Sequence, residues 1–184
     1  PFRSNFVIMD EDDQEAITKR AIKDLNISDK LYRPTTVHAA ISHAKNNLLL
    51  PKEYPVRSYR DEVILRIYER YQQVLQDSNA VDFDDLLLKP IELFTKYPGT
   101  LEKYQYRFKY LLVDEYQDTN RAQYVLINLL AKKFKNICIV GDDAQSIYAF
   151  RGADIRNILD FERDYPDAKV FRLEQNYRST KTIL

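Results

Sequence analysis

Two adjacent carboxylates, Asp114 and Glu115, stand at the end of an apolar run and carry the clearest chemistry in the chain. The run, residues 110–113, is short and predicts a strand buried on both faces. Ligands bind outside the carboxyl ends of strands in open α/β sheets, so both carboxylates would lie at a binding edge. There they could hold a hard cation such as Mg²⁺ and orient a water molecule. A solvated acidic turn before a helix accounts for the same residues equally well.

The second half of the chain alternates strand and helix patterns. Apolar runs at 110–113, 137–140 and 170–173 predict three strands, and the patterns between them predict helices at about 120–133 and 155–165. A β-α-β-α-β order predicts an α/β fold with parallel strands and right-handed crossovers. All three strand ends would then meet at one edge of the sheet.

The second and third predicted strands also end in polar and aromatic residues. The chemistry-bearing side chains there are Gln145, Tyr148, Phe150, Arg151, Tyr177 and Arg178. Arginines beside a metal-binding carboxylate suit a phosphoryl group in transfer, and aromatic rings can stack on bases. Each residue alone is weak support, since an arginine can be a surface ion pair and an aromatic ring can belong to a core. Three such sets at three consecutive strand ends favour a site.

Residues 1 to about 80 predict helices packed by their own apolar faces, the third at about 59–76. The predicted N-caps of the whole chain are Asp10, Thr35 or Thr36, Asp82 or Asp84, Thr119 and Asp154. For the acidic cluster Asp82, Asp84 and Asp85, capping and solvation are favoured over a metal site. Pro90 predicts a kink or break in the helix that follows that cluster.

The composition is that of a globular chain without a membrane span. Among 184 residues, 28 are Lys or Arg and 28 are Asp or Glu, so the formal net charge is zero. This argues against nucleic-acid binding driven by bulk charge and leaves a local basic groove open. No apolar run reaches the roughly 18 residues that a membrane helix needs. The single cysteine, Cys138, predicts a small core residue and a reducing compartment.

The glycines of the chain bear on nucleotide binding. Gly99, Gly141 and Gly152 are the only three, and no Gly-x-x-x-x-Gly-Lys-Ser/Thr phosphate loop can be built from them. The chain begins at Pro1 and its only methionine is Met9, which predicts a piece excised from a larger protein.

Several motifs give the chain a family resemblance. Residues 114–120, Asp-Glu-Tyr-Gln-Asp-Thr-Asn, resemble motif II of the UvrD/Rep/PcrA-like superfamily 1 DNA helicases. Residues 140–153 resemble motif III of that family, and residues 173–179 resemble motif IV. Residues 71–72 and 81–87 are similar to the run that leads into motif II. The resemblance covers nearly the whole chain, with its motifs in the family's order.

The resemblance implies roles for the residues of motifs II and III. Asp114 and Glu115 would hold Mg²⁺, Asp114 through water, and Glu115 would activate the attacking water. Gln145 would sense the γ-phosphate of ATP and link it to DNA. Phe150 occupies the aromatic position that stacks on a base of single-stranded DNA, with Tyr148 beside it.

The resemblance implies three further nucleotide contacts. Arg151 and Arg178 would stabilise charge on the γ-phosphate, and Tyr177 would stack on the adenine.

The resemblance also implies a domain arrangement and partners. Residues 1–80 would be the inserted helical subdomain (1B-like), and 81–178 the C-terminal part of a RecA-like motor domain (1A) of the P-loop NTPase class. Residues 179–184 would begin the second motor domain. The parent would be an ATP-dependent 3′–5′ helicase acting on single-stranded DNA and on junctions of single- and double-stranded DNA. It would be cytoplasmic, associated with a bacterial nucleoid, and could meet DNA repair or replication proteins.

The phosphate loop (Walker A) and the later motifs of the family are missing from these residues, so the chain alone is expected to be inactive toward ATP. Two alternatives remain open on sequence. One is a metal-dependent phosphohydrolase using Asp114, Glu115, Asp142 and Asp143, and the other a non-catalytic module that binds single-stranded DNA or a protein. The runs Gln-Ser-Ile-Tyr and Asn-Tyr-Arg-Ser favour the helicase, because a simple phosphohydrolase has no use for them.

Overall fold

The computed structural model describes residues 2–149, 152–180 and 182–183, where helices predominate and short strands form two parallel pairs. The helices are α1 (Glu11–Asp24), α2 (Pro34–Asn46), α3 (Tyr59–Asp77), α4 (Asp85–Lys96), α5 (Pro98–Arg107), α6 (Arg121–Ala131), α7 (Arg156–Leu159) and α8 (Phe161–Asp164). The strands are β1 (Val7–Ile8), β2 (Ala80–Val81), β3 (Leu111–Val113) and β4 (Ile137–Ile139). Single turns of 3₁₀-helix lie at Pro51–Glu53, Tyr116–Asp118 and Asp143–Gln145.

The main core lies among the first three helices. Its buried members are Ala21, Ile22, Val37, Ile41, Ala44, Val63, Ile67, Tyr68, Tyr71, Leu75 and Ala80. Most of them recur at intervals of three or four residues along one face of their helix, which is the pattern that predicted these helices. Helices α4 and α5 pack on α6 and join this core to the second half of the chain.

Local hydrogen bonds explain where two helices start. Asp10 caps α1 as predicted, because its Oδ1 accepts the N–H of Asp13 at 2.9 Å and the Asp13 carboxylate accepts the N–H of Asp10. Ser58 caps α3 through its side-chain Oγ, which accepts the N–H of Asp61 at 3.2 Å.

Three predicted caps are wrong. Helix α2 starts one residue before Thr35, at Pro34, whose fixed φ suits a first helical position. Asn120, not Thr119, caps α6. Asp154 does not cap α7, whose N-cap is Ile155, although its carboxylate accepts the N–H of Arg156 at 3.1 Å.

The helix after the acidic cluster agrees with prediction in part. Asp84 occupies the N-cap position of α4 without a side-chain cap, and Asp82 instead accepts the N–H of Asp85 at 2.8 Å. Helix α4 continues through Pro90 and is not interrupted there.

The two parallel strand pairs join segments that are separated by different lengths of chain. Strand β1 pairs with β2, Val7 opposite Ala80, so the first segment is not all-helical as predicted. Strand β3 pairs with β4, Leu111 opposite Ile137 and Val113 opposite Ile139, which confirms the predicted parallel pairing.

The third predicted strand is absent from the described residues, which corrects the three-stranded sheet. Residues 170–173 have no strand pairing, and Phe171 and Leu173 are 82% and 92% exposed. A strand needs a partner for its backbone hydrogen bonds, and none lies beside this run. The predicted helix at 155–165 is likewise divided into α7 and α8, which meet at Asp160.

Strand β3 is not buried on both faces. Leu112 is 81% exposed, and Cys138 opposite it is exposed as well, which corrects the prediction of a core cysteine. The side chains of Leu112 and Cys138 share the face of the β3–β4 pair that the described chain leaves uncovered. Within the described ranges, no helix is both long and apolar enough to cross a membrane.

Candidate functional site

The loop after β3 presents the two predicted carboxylates to solvent. Asp114 Oδ1 accepts the backbone N–H of Glu115 at 2.9 Å, and both residues are exposed. Glu115 has φ 50° and ψ 40°, in the left-handed region that residues other than glycine seldom occupy. Such strain persists only where the surroundings fix it, and it concentrates at functional sites.

Tyr116 anchors this loop to the end of β4 and to α8. Its N–H donates to the carbonyl of Val140 at 3.0 Å, at the end of β4, and its buried ring meets Phe161 of α8 edge-on at 5.7 Å between centroids. Burial raises the pKa of the Tyr116 hydroxyl, which has no hydrogen-bond partner among the described residues. The ring therefore acts as an apolar anchor for the acidic loop.

Gln117 joins the acidic loop to the loop after β4. Its side chain is buried, its Nε2 donates to Glu115 Oε2 at 2.8 Å, and its Oε1 accepts the N–H of Asp142 at 3.1 Å. A Cβ atom added to Gly141 would lie 2.7 Å from that Oε1, so the glycine allows the amide to approach. The two strand ends are thus hydrogen-bonded together, as parallel pairing predicted.

The Asp142 carboxylate holds the loop after β4 together by accepting two hydrogen bonds. Its Oδ1 accepts the N–H of Ala144 at 3.0 Å, and its Oδ2 accepts Gln145 Nε2 at 2.7 Å. The predicted phosphate sensor, Gln145, is exposed and is held in its own loop by this bond. Gln145 and Glu115 are therefore connected through Asp142 and Gln117.

Helices α6 and α7 are tied to the same loops through Thr119. Asn157 Nδ2 donates to the carbonyl of Thr119 at 2.9 Å and to its Oγ1 at 3.1 Å. The N–H of Asp154 donates to the same carbonyl at 3.0 Å, and Asn120 forms an isolated antiparallel bridge with Ala153. Motif II and the end of motif III are therefore one hydrogen-bonded unit.

The predicted DNA residues are only partly described. Phe150 and Arg151 lie outside the described residues. Tyr148 is 37% exposed, and its carbonyl accepts the N–H of Ala153 at 3.3 Å.

Tyr177 and Arg178 are not brought to the strand ends in this structure. Tyr177 is 92% exposed, and the Arg178 side chain is exposed without a hydrogen bond or ion pair to any described residue. The turn they occupy is local, because Asn176 Oδ1 accepts the N–H groups of Arg178 and Ser179 at 2.9 Å each. The expectation of three polar sets at one sheet edge is met for two sets only, since the third strand is missing.

The donor set at Asp114 and Glu115 suits Mg²⁺. This ion takes oxygen ligands, and it commonly uses one or two carboxylates together with substrate phosphates. Nowhere in residues 2–149, 152–180 and 182–183 do three or more His, Cys, Asp or Glu side chains form a metal-binding group. The phosphohydrolase alternative needed Asp142 and Asp143 as well, and it is not favoured because both carboxylate oxygens of Asp142 accept hydrogen bonds within their own loop.

Two members of the acidic cluster before α4 are buried, which corrects the prediction that the cluster is solvated. Asp82 and Asp85 are 1% exposed and enclose the equally buried Lys45 of α2. Lys45 Nζ lies 2.5 Å from Asp82 Oδ2 and 3.2 Å from Asp85 Oδ1, and Tyr71 donates its hydroxyl to Asp82 at 2.9 Å. Burial raises the pKa of Asp85, which the neighbouring ammonium opposes.

Sequence reasoning gave no role to Gln117 or Lys45. A signal existed for Lys45, which follows Ile41 by four residues and so lies on the buried face of α2. For Gln117 the decisive neighbour, Gly141, is distant in sequence, and local pattern could not reveal it.

Comparison with known proteins confirms the resemblance. Residues 1–166 match the family described as UvrD/REP helicase N-terminal domain. The ATP-dependent DNA helicase PcrA of Staphylococcus epidermidis is 51% identical over 182 residues, which cover 98% of this chain and 25% of that protein. The protein of the same name from Staphylococcus aureus matches with the same identity and coverage. The chain thus spans about a quarter of the length of these relatives, and it belongs to the UvrD/REP helicase family.

Proposed function

We propose that this chain is a segment of an ATP-dependent DNA helicase that couples ATP hydrolysis to 3′–5′ movement on single-stranded DNA and to unwinding. Both relatives at 51% identity are named ATP-dependent DNA helicases. The observation that carries the proposal is the connection of the two strand-end loops through Gln117, from Glu115 to Asp142. A helicase needs such a connection, because ATP hydrolysis at the loop after β3 must be transmitted to the loop after β4.

The carboxylates would serve phosphoryl transfer in distinct ways. Asp114 would hold Mg²⁺, with Glu115 beside it, and the ion would neutralise charge on the phosphates of ATP. Glu115 would accept the proton of the attacking water, since its carboxylate is exposed and is oriented by Gln117.

The remaining site residues extend the proposal to nucleotide and DNA. Gln145 would report the γ-phosphate to the loop after β4, with Arg151 and Arg178 stabilising its charge. Tyr177 would stack on adenine, and its 92% exposure leaves the ring accessible. The aromatic pair Tyr148 and Phe150 would stack on bases of single-stranded DNA.

The domain assignment is part of the same proposal. Residues 1–80 would be a 1B-like helical subdomain, 81–178 part of a RecA-like motor domain, and 179–184 the start of a second one. The parallel β3–β4 pair ending in Asp114 and Glu115 supports a motor domain. Junctions of single- and double-stranded DNA would be substrates, and repair or replication proteins in a bacterial cytoplasm would be partners.

Replacing Glu115 by Gln in the full-length protein tests the function. Turnover of ATP should fall by about 10²–10⁴-fold, the usual worth of a general base, while ATP binding persists. The matched control is Glu102→Gln, which removes a carboxylate that pairs with Lys133 on the surface of α5. Wild-type turnover in the Glu115→Gln variant would overturn the proposal.

A further inference from the structure

We infer that Gln117 is a positioning residue that orients the Glu115 carboxylate according to the state of the loop after β4. The inference rests on the proposed function and adds the device through which DNA would control hydrolysis. Gln117 would touch neither nucleotide nor DNA, so its effect would pass through its two neighbours.

The orientation of the Gln117 amide is fixed by its partners. A backbone N–H can only donate, so the atom facing the Asp142 N–H at 3.1 Å must be the carbonyl oxygen Oε1. The amide nitrogen must then face the carboxylates, and it lies 2.8 Å from Glu115 Oε2 and 3.3 Å from Asp118 Oδ2. The side chain is thereby bonded at both ends.

Packing leaves this side chain little freedom to move. Gln117 is 1% exposed, whereas the carboxylate that it holds is exposed. Gly141 supplies the necessary space, since an added Cβ would lie 2.7 Å from Gln117 Oε1 and 2.7 Å from Ile158 Cδ1. A shift of the Gly141–Asp142 backbone must therefore move the Gln117 amide as well.

Such a shift of the Gly141–Asp142 backbone would move the proposed general base, Glu115. Glu115 is held in a left-handed conformation, with φ 50°, and the hydrogen bond from Gln117 restrains its otherwise exposed carboxylate. The loop after β4 also carries Gln145 and Tyr148, the proposed contacts to phosphate and DNA. DNA bound to that loop would thus set the position of the general base.

Two substitutions in the full-length protein distinguish the loss of the hydrogen bond to Glu115 from the loss of both Gln117 bonds. Gln117→Glu keeps the acceptor for Asp142 but replaces the donor with a carboxylate beside Glu115 and Asp118. Gln117→Met has similar length and removes both bonds without burying a charge. The measurements are kcat and KM for ATP, with and without a poly(dT) oligonucleotide.

The DNA-stimulated kcat should fall about 10–100-fold in both variants, the usual effect of losing a group that orients a reacting ligand. The KM for ATP should stay near its wild-type value. The basal kcat without DNA should change less than the DNA-stimulated kcat in both variants, because the lost bond links Glu115 to the loop proposed to bind DNA.

The matched control is Gln105→Glu, at another buried glutamine whose Nε2 donates to the carbonyl of Leu129 at 2.8 Å. It should lower stability without changing the stimulation by DNA. Wild-type stimulation by DNA in either Gln117 variant would overturn the inference. A fully active Glu115→Gln variant would instead overturn the proposed function.

Discussion

The first three helices form a closed interior, whereas the loops that carry the carboxylates lie at an open edge. Ile67, Tyr68 and Tyr71 are fully buried, while Leu112 of β3 is 81% exposed. The closed region encloses an ion pair that performs no proposed chemistry, and the open region holds its strained Glu115 through a few hydrogen bonds. The difference indicates that the buried helical core supplies most of the packing, whereas the strand-end loops are open to solvent.

The largest expected effect tests whether ATP turnover can be lost without loss of stability outside the closed interior. Arg178→Ala in the full-length protein should lower ATP turnover about 10³–10⁵-fold if the residue acts as an arginine finger. The free energy of unfolding should not change, because the Arg178 side chain is exposed and unpaired among the described residues. Turnover assays and urea denaturation of the same preparation measure both. A deficit below about tenfold would assign Arg178 to the ordinary surface.

The next effect belongs to the closed interior. Lys45→Met should lower the free energy of unfolding by about 3–5 kcal/mol, because Asp82 and Asp85 would remain buried without their cation. Urea denaturation measures the change.

A surface ion pair offers the control for that experiment. Arg70→Met removes an ion pair to Asp24 in which both side chains are about one-third exposed, and it should cost less than about 1 kcal/mol. Equal losses in the two variants would mean that the Lys45 cluster adds nothing beyond a surface pair.

The smallest effect concerns pH and Asp84, at the border between the two regions. Burial is the main cause that raises the pKa of Asp84 above its ordinary value, while hydrogen bonds from Ser42 and Asn46 oppose it. A raised folded-state pKa gives a contribution to stability that is present at low pH and is lost as pH rises through that value. Asp84→Asn cannot ionise, so it should gain stability relative to wild type as pH rises from below about 4 to neutrality.

Thermal unfolding across that pH range compares the two proteins. The difference at neutral pH should be smaller than the loss in Lys45→Met. A difference that grows as pH falls would contradict the assigned direction.

Local features of this fold were accessible from sequence, and those set by distant neighbours were not. The cap at Asp10 and the span of α3 were predicted because a side chain within three residues, or a repeating apolar face, determines them. The strand predicted at 170–173 failed because pairing depends on a partner strand that no local pattern can supply.

In the candidate site too, local features were predictable from the sequence and those set by distant neighbours were not. The paired carboxylates and their place after β3 were predicted from residue order. The cap of α6 was misassigned by one residue because Thr119 and Asn120 are both good caps. Only the fold shows that the Thr119 hydroxyl is bound to the Tyr116 carbonyl.

The cap of α6 has a consequence for exchanging parts between relatives. Asp84 accepts a hydrogen bond from Asn46 Nδ2, Asn46 Oδ1 accepts one from Asn120 Nδ2, and Asn120 Oδ1 accepts the Gln123 N–H. Each amide orientation dictates the next, so the sequence of donors and acceptors can run in one direction only. A chimera that took α2 from another sequence would need an amide at position 46. With an aliphatic residue grafted there, the Asn120 side chain, 74 residues further along the chain, would lose the partner that orients it as the cap of α6.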